Sequence, residues 1–218
     1  MSLSVKQRML QRVAKDIAHQ SMVNLGMGYP LEVLDFLPAD LQVCFHSENG
    51  ISGVGPVLGS EHADRNLIDA GGGYVTPLPG TAYFDSATSF AMIRSGRLDV
   101  SLLGAFEVSA KGDLANWVIP GKFTPGMGGA VELAQKAKRV YVIMTHCDKH
   151  GQAKIKPECS LPLTAAACVD RIYTDMAVID VTPAGLLLRE IAEHVSVEDV
   201  VAATGAELHM STGQIGRF

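Results

Sequence analysis

Glu48 stands in Phe45-His46-Ser47-Glu48-Asn49-Gly50, where a β-prone run breaks into a turn carrying one acidic residue. Asn49 and Gly50 tolerate left-handed backbone, so a tight turn here presents the Glu48 carboxylate instead of burying it. A carboxylate at the carboxyl end of a strand, beside glycine-rich loops, lies where open α/β sheets usually place ligands. Taken alone, the residue reads as a solvated turn glutamate, and the rest of the chain is what argues otherwise.

Two glycine loops are the other candidates. Gly26-Met27-Gly28 lacks the third glycine of a dinucleotide fingerprint, because Leu31 occupies that position, so a nicotinamide site is rejected. Its glycines still let a long ligand approach the backbone. Gly126-Met127-Gly128-Gly129, ahead of a predicted helix, offers free backbone N–H groups to an oxyanion or a phosphate, or is a plain turn. Neither loop is followed by Gly-Lys-Ser/Thr, so no P-loop is present. His146-Cys147-Asp148, with His150 close by, gives no complete metal-ligand set and reads as a polar cluster at a strand end. Gly112-Asp113-Leu114-Ala115-Asn116-Trp117 reads as a turn with an anchoring aromatic.

These loops need strands and helices to bring them together. Ser4 and Gln7 form a capping box, and Val5, Met9, Val13 and Ile17 follow at helical spacing. Strands are expected at Met22–Leu25, Leu41–Phe45, Asp99–Leu103, Arg139–Met144, Met176–Val181 and Leu186–Glu190. Helices are expected at Leu31–Leu37, from Asp85 or Ser86 to near Gly96, from about Ala130, and from Ser196 with Asp199 in the first turn. Residues 52–82 read as loop, punctuated by Gly71-Gly72-Gly73 and Pro77-Leu78-Pro79-Gly80. Alternating strands and helices predict an α/β fold, with a mostly parallel or mixed sheet flanked by helices. In such a sheet, loops 24–30, 46–50 and 125–129 converge on one edge.

The 218 residues fit one domain, 1–218, with no internal repeat or linker. A hydrophobic content of 47% is high for a chain whose whole surface is wet, and predicts a large sheet, a partner-covered face, or both. The net charge of −5 gives no footprint for nucleic acid or an anionic membrane. No apolar run is long enough to span a bilayer, and no signal peptide is recognised. Cys44, Cys147, Cys159 and Cys168 lack C-x-x-C spacing and read as free thiols, which points to a cytoplasmic setting.

Taken together and in order, Asn24-Leu25-Gly26-Met27-Gly28, Ser47-Glu48-Asn49-Gly50, Lys111-Gly112-Asp113-Leu114-Ala115-Asn116-Trp117 and Pro125-Gly126-Met127-Gly128-Gly129-Ala130 resemble the B (β) subunit of the family I coenzyme A transferases. The likeness spans nearly the whole chain and is strongest to those members that act on 3-oxoacids. Two departures stand out: Ser52 replaces a usual apolar residue, and Gly71–Gly73 lacks a lysine that some relatives carry there.

The resemblance implies the fold of that superfamily and a ping-pong transfer through a glutamyl-CoA thioester on Glu48, the nucleophile. It implies Gly128 and Gly129 as oxyanion donors. Asn24, Gly26, Gly28 and Asn49 become candidate contacts for coenzyme A or the acyl group. Coenzyme A is then a substrate, with no permanently bound cofactor and no metal. The implied partner is an A (α) subunit, in an α2β2 heteromer. An acyl-CoA hydrolase on the same scaffold, or a non-catalytic protein that binds coenzyme A or a partner, are the alternatives.

Overall fold

The computed structural model describes residues 3–55, 63–124, 126–210 and 213–218. Helix α1 (Val5–Ala14) starts at the expected capping box: Ser4 Oγ accepts the Gln7 N–H, and Gln7 Oε1 accepts the Ser4 N–H. Strand β1 (Met22–Leu25) is followed by a short helix, α2 (Tyr29–Glu32), and a 3-10 turn at Val33–Phe36. Next come β2 (Cys44–Ser47), β3 (Ile51–Gly55), β4 (Thr76–Tyr83) and α3 (Ser86–Arg94), the last capped by Asp85. The middle of the chain forms β5 (Val100–Gly104), β6 (Glu107–Ser109), β7 (Leu114–Ala115), α4 (Ala130–Lys136), β8 (Val140–Ile143) and β9 (Ile155–Lys156). Beyond them lie β10 (Arg171–Tyr173), β11 (Ala177–Thr182), β12 (Gly185–Ile191), α5 (Val197–Ala203), β13 (Leu208–Met210) and β14 (Gly216–Arg217).

The main sheet runs β13-β12-β11-β10-β8-β5-β1-β2-β3-β4, with β14 beside β12. Its centre, β10-β8-β5-β1-β2, is parallel, and antiparallel pairs β10–β11–β12 and β2–β3–β4 flank it. This is the expected α/β class. Successive side chains along the central strands point to opposite faces. Leu103, Val142 and Ile172 therefore join one apolar core, while Leu102, Ile143 and Tyr173 join the other, under α1. A small sheet, β7-β6-β9, lies apart.

Three expectations shift. The strand before Glu48 begins at Cys44 and runs to Ser47, so Glu48 follows it directly. Residues 31–37, expected as one helix, are split between the end of α2 and the 3-10 turn. The stretch expected as loop at 52–82 contains most of β3 and all but the last residue of β4. Pro77, Pro79 and Gly80 mimic loop punctuation, but among the described residues β4 pairs only with β3, and an edge strand tolerates residues that a central ladder rejects. Pro125 and residues 56–62 lie outside the described residues.

A charge network ties α1 to the half of the sheet remote from Glu48. Arg12 grips Glu190 through two bonds of 2.6 Å, and Arg171 reaches Asp16 at 2.6 Å and Asp180 at 2.5 Å. Arg189 also reaches Asp180, at 2.6 Å. Arg12 Nη1 also lies 2.8 Å from Asp16 Oδ1. Burial alone would raise the Asp16 carboxyl, but the bonds and charges of Arg12, Tyr173 and Arg171 outweigh it and hold it low.

Candidate active site

Glu48 occupies the turn between β2 and β3. The Gly50 N–H donates to Ser47 O at 3.1 Å, and the Phe84 N–H to Gly50 O at 2.9 Å. Gly50 has φ +120°, and a Cβ there would lie 2.0 Å from Phe84 O, so only glycine fits. The glycine after Glu48 is thus demanded by the turn that presents it.

The carboxylate is held from β1, the next strand. Asn24 Nδ2 donates to Glu48 Oε2 at 3.1 Å and to His46 O at 3.1 Å, and lies 3.5 Å from His46 Nδ1. A flipped amide would set its oxygen against a carbonyl and a carboxylate, so repulsion fixes its orientation. Asn24 is fully buried, and its Oδ1 has no partner among the described residues. His46 is buried as well, stacked on Phe84 with ring centroids 5.9 Å apart, with Nε2 3.0 Å from Ser89 Oγ. Burial pushes its imidazole down to about 4, so the ring is neutral near pH 7. With Nδ1 toward the amide donor, the ring proton goes on Nε2 and points at Ser89. Ser89, His46 and Asn24 thus form a chain ending on one oxygen of Glu48, whose Oε1 has no described partner.

The second glycine loop packs against the same side chain. A Cβ on Gly129 would sit 3.2 Å from Glu48 Cγ and 3.1 Å from Phe90 Cζ. Bonds from Gly126 N–H to Trp117 O (3.3 Å) and Ala130 N–H to Met127 O (3.1 Å) shape the loop. Among the described residues, no acceptor pairs with the N–H of Gly128 or Gly129.

A cavity of about 830 Å³ is lined by Glu48, Gly26, Gly28, Gly128 and Gly129 among others, so the loops expected to converge do so. Asn24 and Asn49 are not among its lining residues. Asn24 is occupied by Glu48. Asn49 is exposed, and its Nδ2 donates to Ile68 O at 2.7 Å. That bond, with one from Ala70 N–H to Ser47 Oγ at 2.8 Å, pins the 63–75 loop beside the turn. A ligand contact is expected of these two asparagines, and in this structure their side chains bond to the turn and the neighbouring loop.

Sequence reasoning missed Lys154 and read Asn116 only as part of a turn, yet both line the cavity. Asn116 carried a signal, since it stands in one of the quoted motifs; Lys154 carried none. His146 sits between Thr174 Oγ1 (2.9 Å) and Thr204 Oγ1 (2.8 Å), buried and structural. The four cysteines are free. Among the described residues no His, Cys, Asp or Glu group could hold a metal ion, and no helix is long and apolar enough to cross a membrane.

Chemically, the site offers a carboxylate with one oxygen held and the other open, beside unpartnered backbone N–H groups. Such a group can attack a carbonyl and have the resulting oxyanion stabilised. Comparison with known proteins narrows the choice. A family model described as coenzyme A transferase matches residues 6–203. The chain is 47% identical over 206 residues to the B subunit of a probable succinyl-CoA:3-ketoacid coenzyme A transferase of Bacillus subtilis, covering 94% of this chain and 95% of that one. It is 48% identical over 201 residues to the B subunit of a 3-oxoadipate CoA-transferase of Pseudomonas putida, covering 92% and 94%. Among solved structures, an acyl-CoA transferase from E. coli O157:H7, in a thioester complex with CoA, superposes with a TM-score of 0.77 at 20% identity. That match covers 100% of this chain and 43% of the other, and at such identity it speaks for the fold alone. With the family model spanning most of its length and relatives nearly half identical, the chain belongs to the coenzyme A transferase family.

Proposed function

We propose that this chain is the B-type subunit of a two-subunit transferase that moves coenzyme A between an acyl-CoA and a 3-oxoacid or short-chain carboxylate. We read residues 1–218 as one domain, completed by an A (α) subunit in an α2β2 heteromer in the cytoplasm. The observation that carries the reading is the Glu48 carboxylate, held by Asn24 against the Gly128-Gly129 loop at the wall of the cavity.

A Glu48 oxygen attacks the thioester carbonyl; the C–S bond breaks, and the coenzyme A thiolate leaves a mixed anhydride. The thiolate then attacks the Glu48 carbonyl, expelling the first acid as its carboxylate and leaving a glutamyl-CoA thioester. A second carboxylate attacks that thioester, and the steps run in reverse. No net proton or electron is exchanged, so no redox cofactor is needed. Each addition puts negative charge on a carbonyl oxygen, which the N–H groups of Gly128 and Gly129 receive; losing one such donor typically costs about 3 kcal/mol. Gly26 and Gly28 present bare backbone to the coenzyme A arm, whose binding contributes to the transition state.

The test uses the assembled two-subunit enzyme, incubated with acyl-CoA and then reduced with borohydride. Reduction should mark Glu48 and no other residue, with ping-pong kinetics in the exchange. An active enzyme whose Glu48 stays unmodified sinks the proposal. Thioester cleavage that needs no second acid would point to the hydrolase instead.

A further inference from the structure

Lys154 is the cavity-lining charge that the proposed reaction leaves unused. Its backbone is pinned on both sides: its N–H donates to His146 O at 3.1 Å, and its carbonyl accepts the Val108 N–H at 3.0 Å. Its ammonium is not. The one bond it makes is a long one, 3.4 Å to Thr145 Oγ1, whose own proton goes to Cys147 O at 2.8 Å. Lys156, two residues on, shows the contrast: it pairs with Glu107 at 2.5 Å and Ser160 at 2.9 Å. Among the described residues no carboxylate pairs with Lys154. Burial pushes its ammonium down to about 8, while Asp175, Asp148 and Cys147, too distant to pair, act the other way.

A half-buried cation without a counter-ion costs free energy, and an anionic ligand group entering the cavity would offset that cost. Asn116 adds a second polar group. Its Nδ2 gives one proton to Gly104 O (3.0 Å), its Oδ1 accepts from Thr164 (2.7 Å), and its other amide proton has no described acceptor.

Glu48 follows β2, Lys154 belongs to the loop between β8 and β9, and both residues line one cavity. Leu103, Ala105, Phe106 and Met144 line the same cavity and suit a methylene chain.

We propose that Lys154, flanked by Asn116, is the specificity-determining cation that receives the far, non-reacting carboxylate of a short dicarboxylic acid while its near carboxylate reacts at Glu48. This rests on the transferase reading and names a substrate class for it.

The experiment compares succinate with butyrate, matched in chain length, as acceptors from acetyl-CoA in the assembled enzyme carrying Lys154→Met or Lys154→Arg. Lys154→Met should lower kcat/KM for succinate about 10- to 100-fold, mostly through KM, because a charge-assisted contact is lost. Butyrate should stay within about threefold. Lys154→Arg should restore most of the succinate activity, and the melting temperature of Lys154→Met should not fall, since no ion pair is broken. Equal losses for both acids, or unchanged succinate kinetics, overturn the subsite. A wild-type enzyme that exchanges butyrate but refuses succinate also overturns it, leaving the transferase reading intact. One that exchanges no acid overturns that reading itself.

Discussion

Arg12, Asp16, Arg171, Asp180, Arg189 and Glu190 bind α1 to β10, β11 and β12 through contacts in which every carboxylate meets an arginine. Glu48 and Lys154, facing the cavity, make one side-chain hydrogen bond each. Both regions hold partly buried charge, so burial does not separate them. Pairing does. Charges that neutralise one another have no free valence for a ligand and fix the geometry of the sheet. Charges left open beside a cavity keep their desolvation cost until something binds. The difference predicts that mutations in the two regions act on different observables.

The largest effect should come from Glu48→Ala, which removes the nucleophile. Transfer should drop by about 10⁴-fold or more, as when a covalent nucleophile is deleted elsewhere. Thermal stability should fall only slightly, because one described side-chain hydrogen bond, from Asn24, is lost. Exchange kinetics on the assembled enzyme, with a melting curve, check both halves. A variant that keeps transfer would erase the distinction between the regions.

Arg171→Met is the opposite test. It leaves Asp16 and Asp180 with one arginine each, in a region where the Arg171 side chain is 25% exposed. The expected loss is about 2–4 kcal/mol of unfolding free energy, discounted for that exposure, with kcat/KM unchanged in the folded fraction. Denaturant titration reads the first and initial rates the second.

Legibility in the sequence follows the same division. The central strands could be read from apolar runs, because strands buried on both faces need no alternation. The caps Ser4, Asp85 and Ser196 could be read too, since their chemistry is local. β4 could not: its prolines are acceptable because no described strand pairs beyond it, a fact of topology. At the site, Glu48 and its glycines were visible because turn geometry dictates residue types over a few positions. The Asn24–Glu48 bond spans two strands joined by register, and Lys154 arrives from a loop more than a hundred residues away. Neither leaves a trace in local spacing.

Acid should act on the fold through two buried histidines. His46 and His146 are each pushed down to about 4 by burial. The stability each gains as a neutral ring is fully present above the unfolded value near 6.5, and is lost as pH falls from there toward 4. Each contributes on the order of 3 kcal/mol across that window. Melting temperature followed from pH 7 to pH 4 should decline accordingly, and His46→Gln should flatten the decline. A profile unchanged by that substitution would mean that His46 is accommodated as a cation.

Asn24→Leu tests whether holding one oxygen of Glu48 matters to the chemistry. The branched skeleton is retained and the donor is lost, so kcat should fall about 10- to 100-fold with KM little changed. A rise in KM alone would return Asn24 to the ligand contact expected from the sequence.

The smallest effect is the most demanding of geometry. Gly129 has φ −82°, so alanine meets no backbone strain there; the obstacle is the contact of its Cβ with Glu48 Cγ at 3.2 Å and Phe90 Cζ at 3.1 Å. Each neighbour must yield a few tenths of an ångström. Phe90 packs on the α3–α4 core with Ile93 and Leu133, whereas Glu48 is tied only at its tip, so the displacement should fall on Glu48. Gly129→Ala should then reduce kcat about 2- to 10-fold with stability nearly unchanged, because a small misplacement of a nucleophile is costly. Phe90→Leu opens the other side of the contact, and in the double variant the alanine can lean that way and release Glu48. The kcat of the double variant should therefore exceed that of Gly129→Ala, a coupling that a double-mutant cycle resolves. Strict additivity would show that the loop moves away as a whole and that its closeness to Glu48 has no part in catalysis.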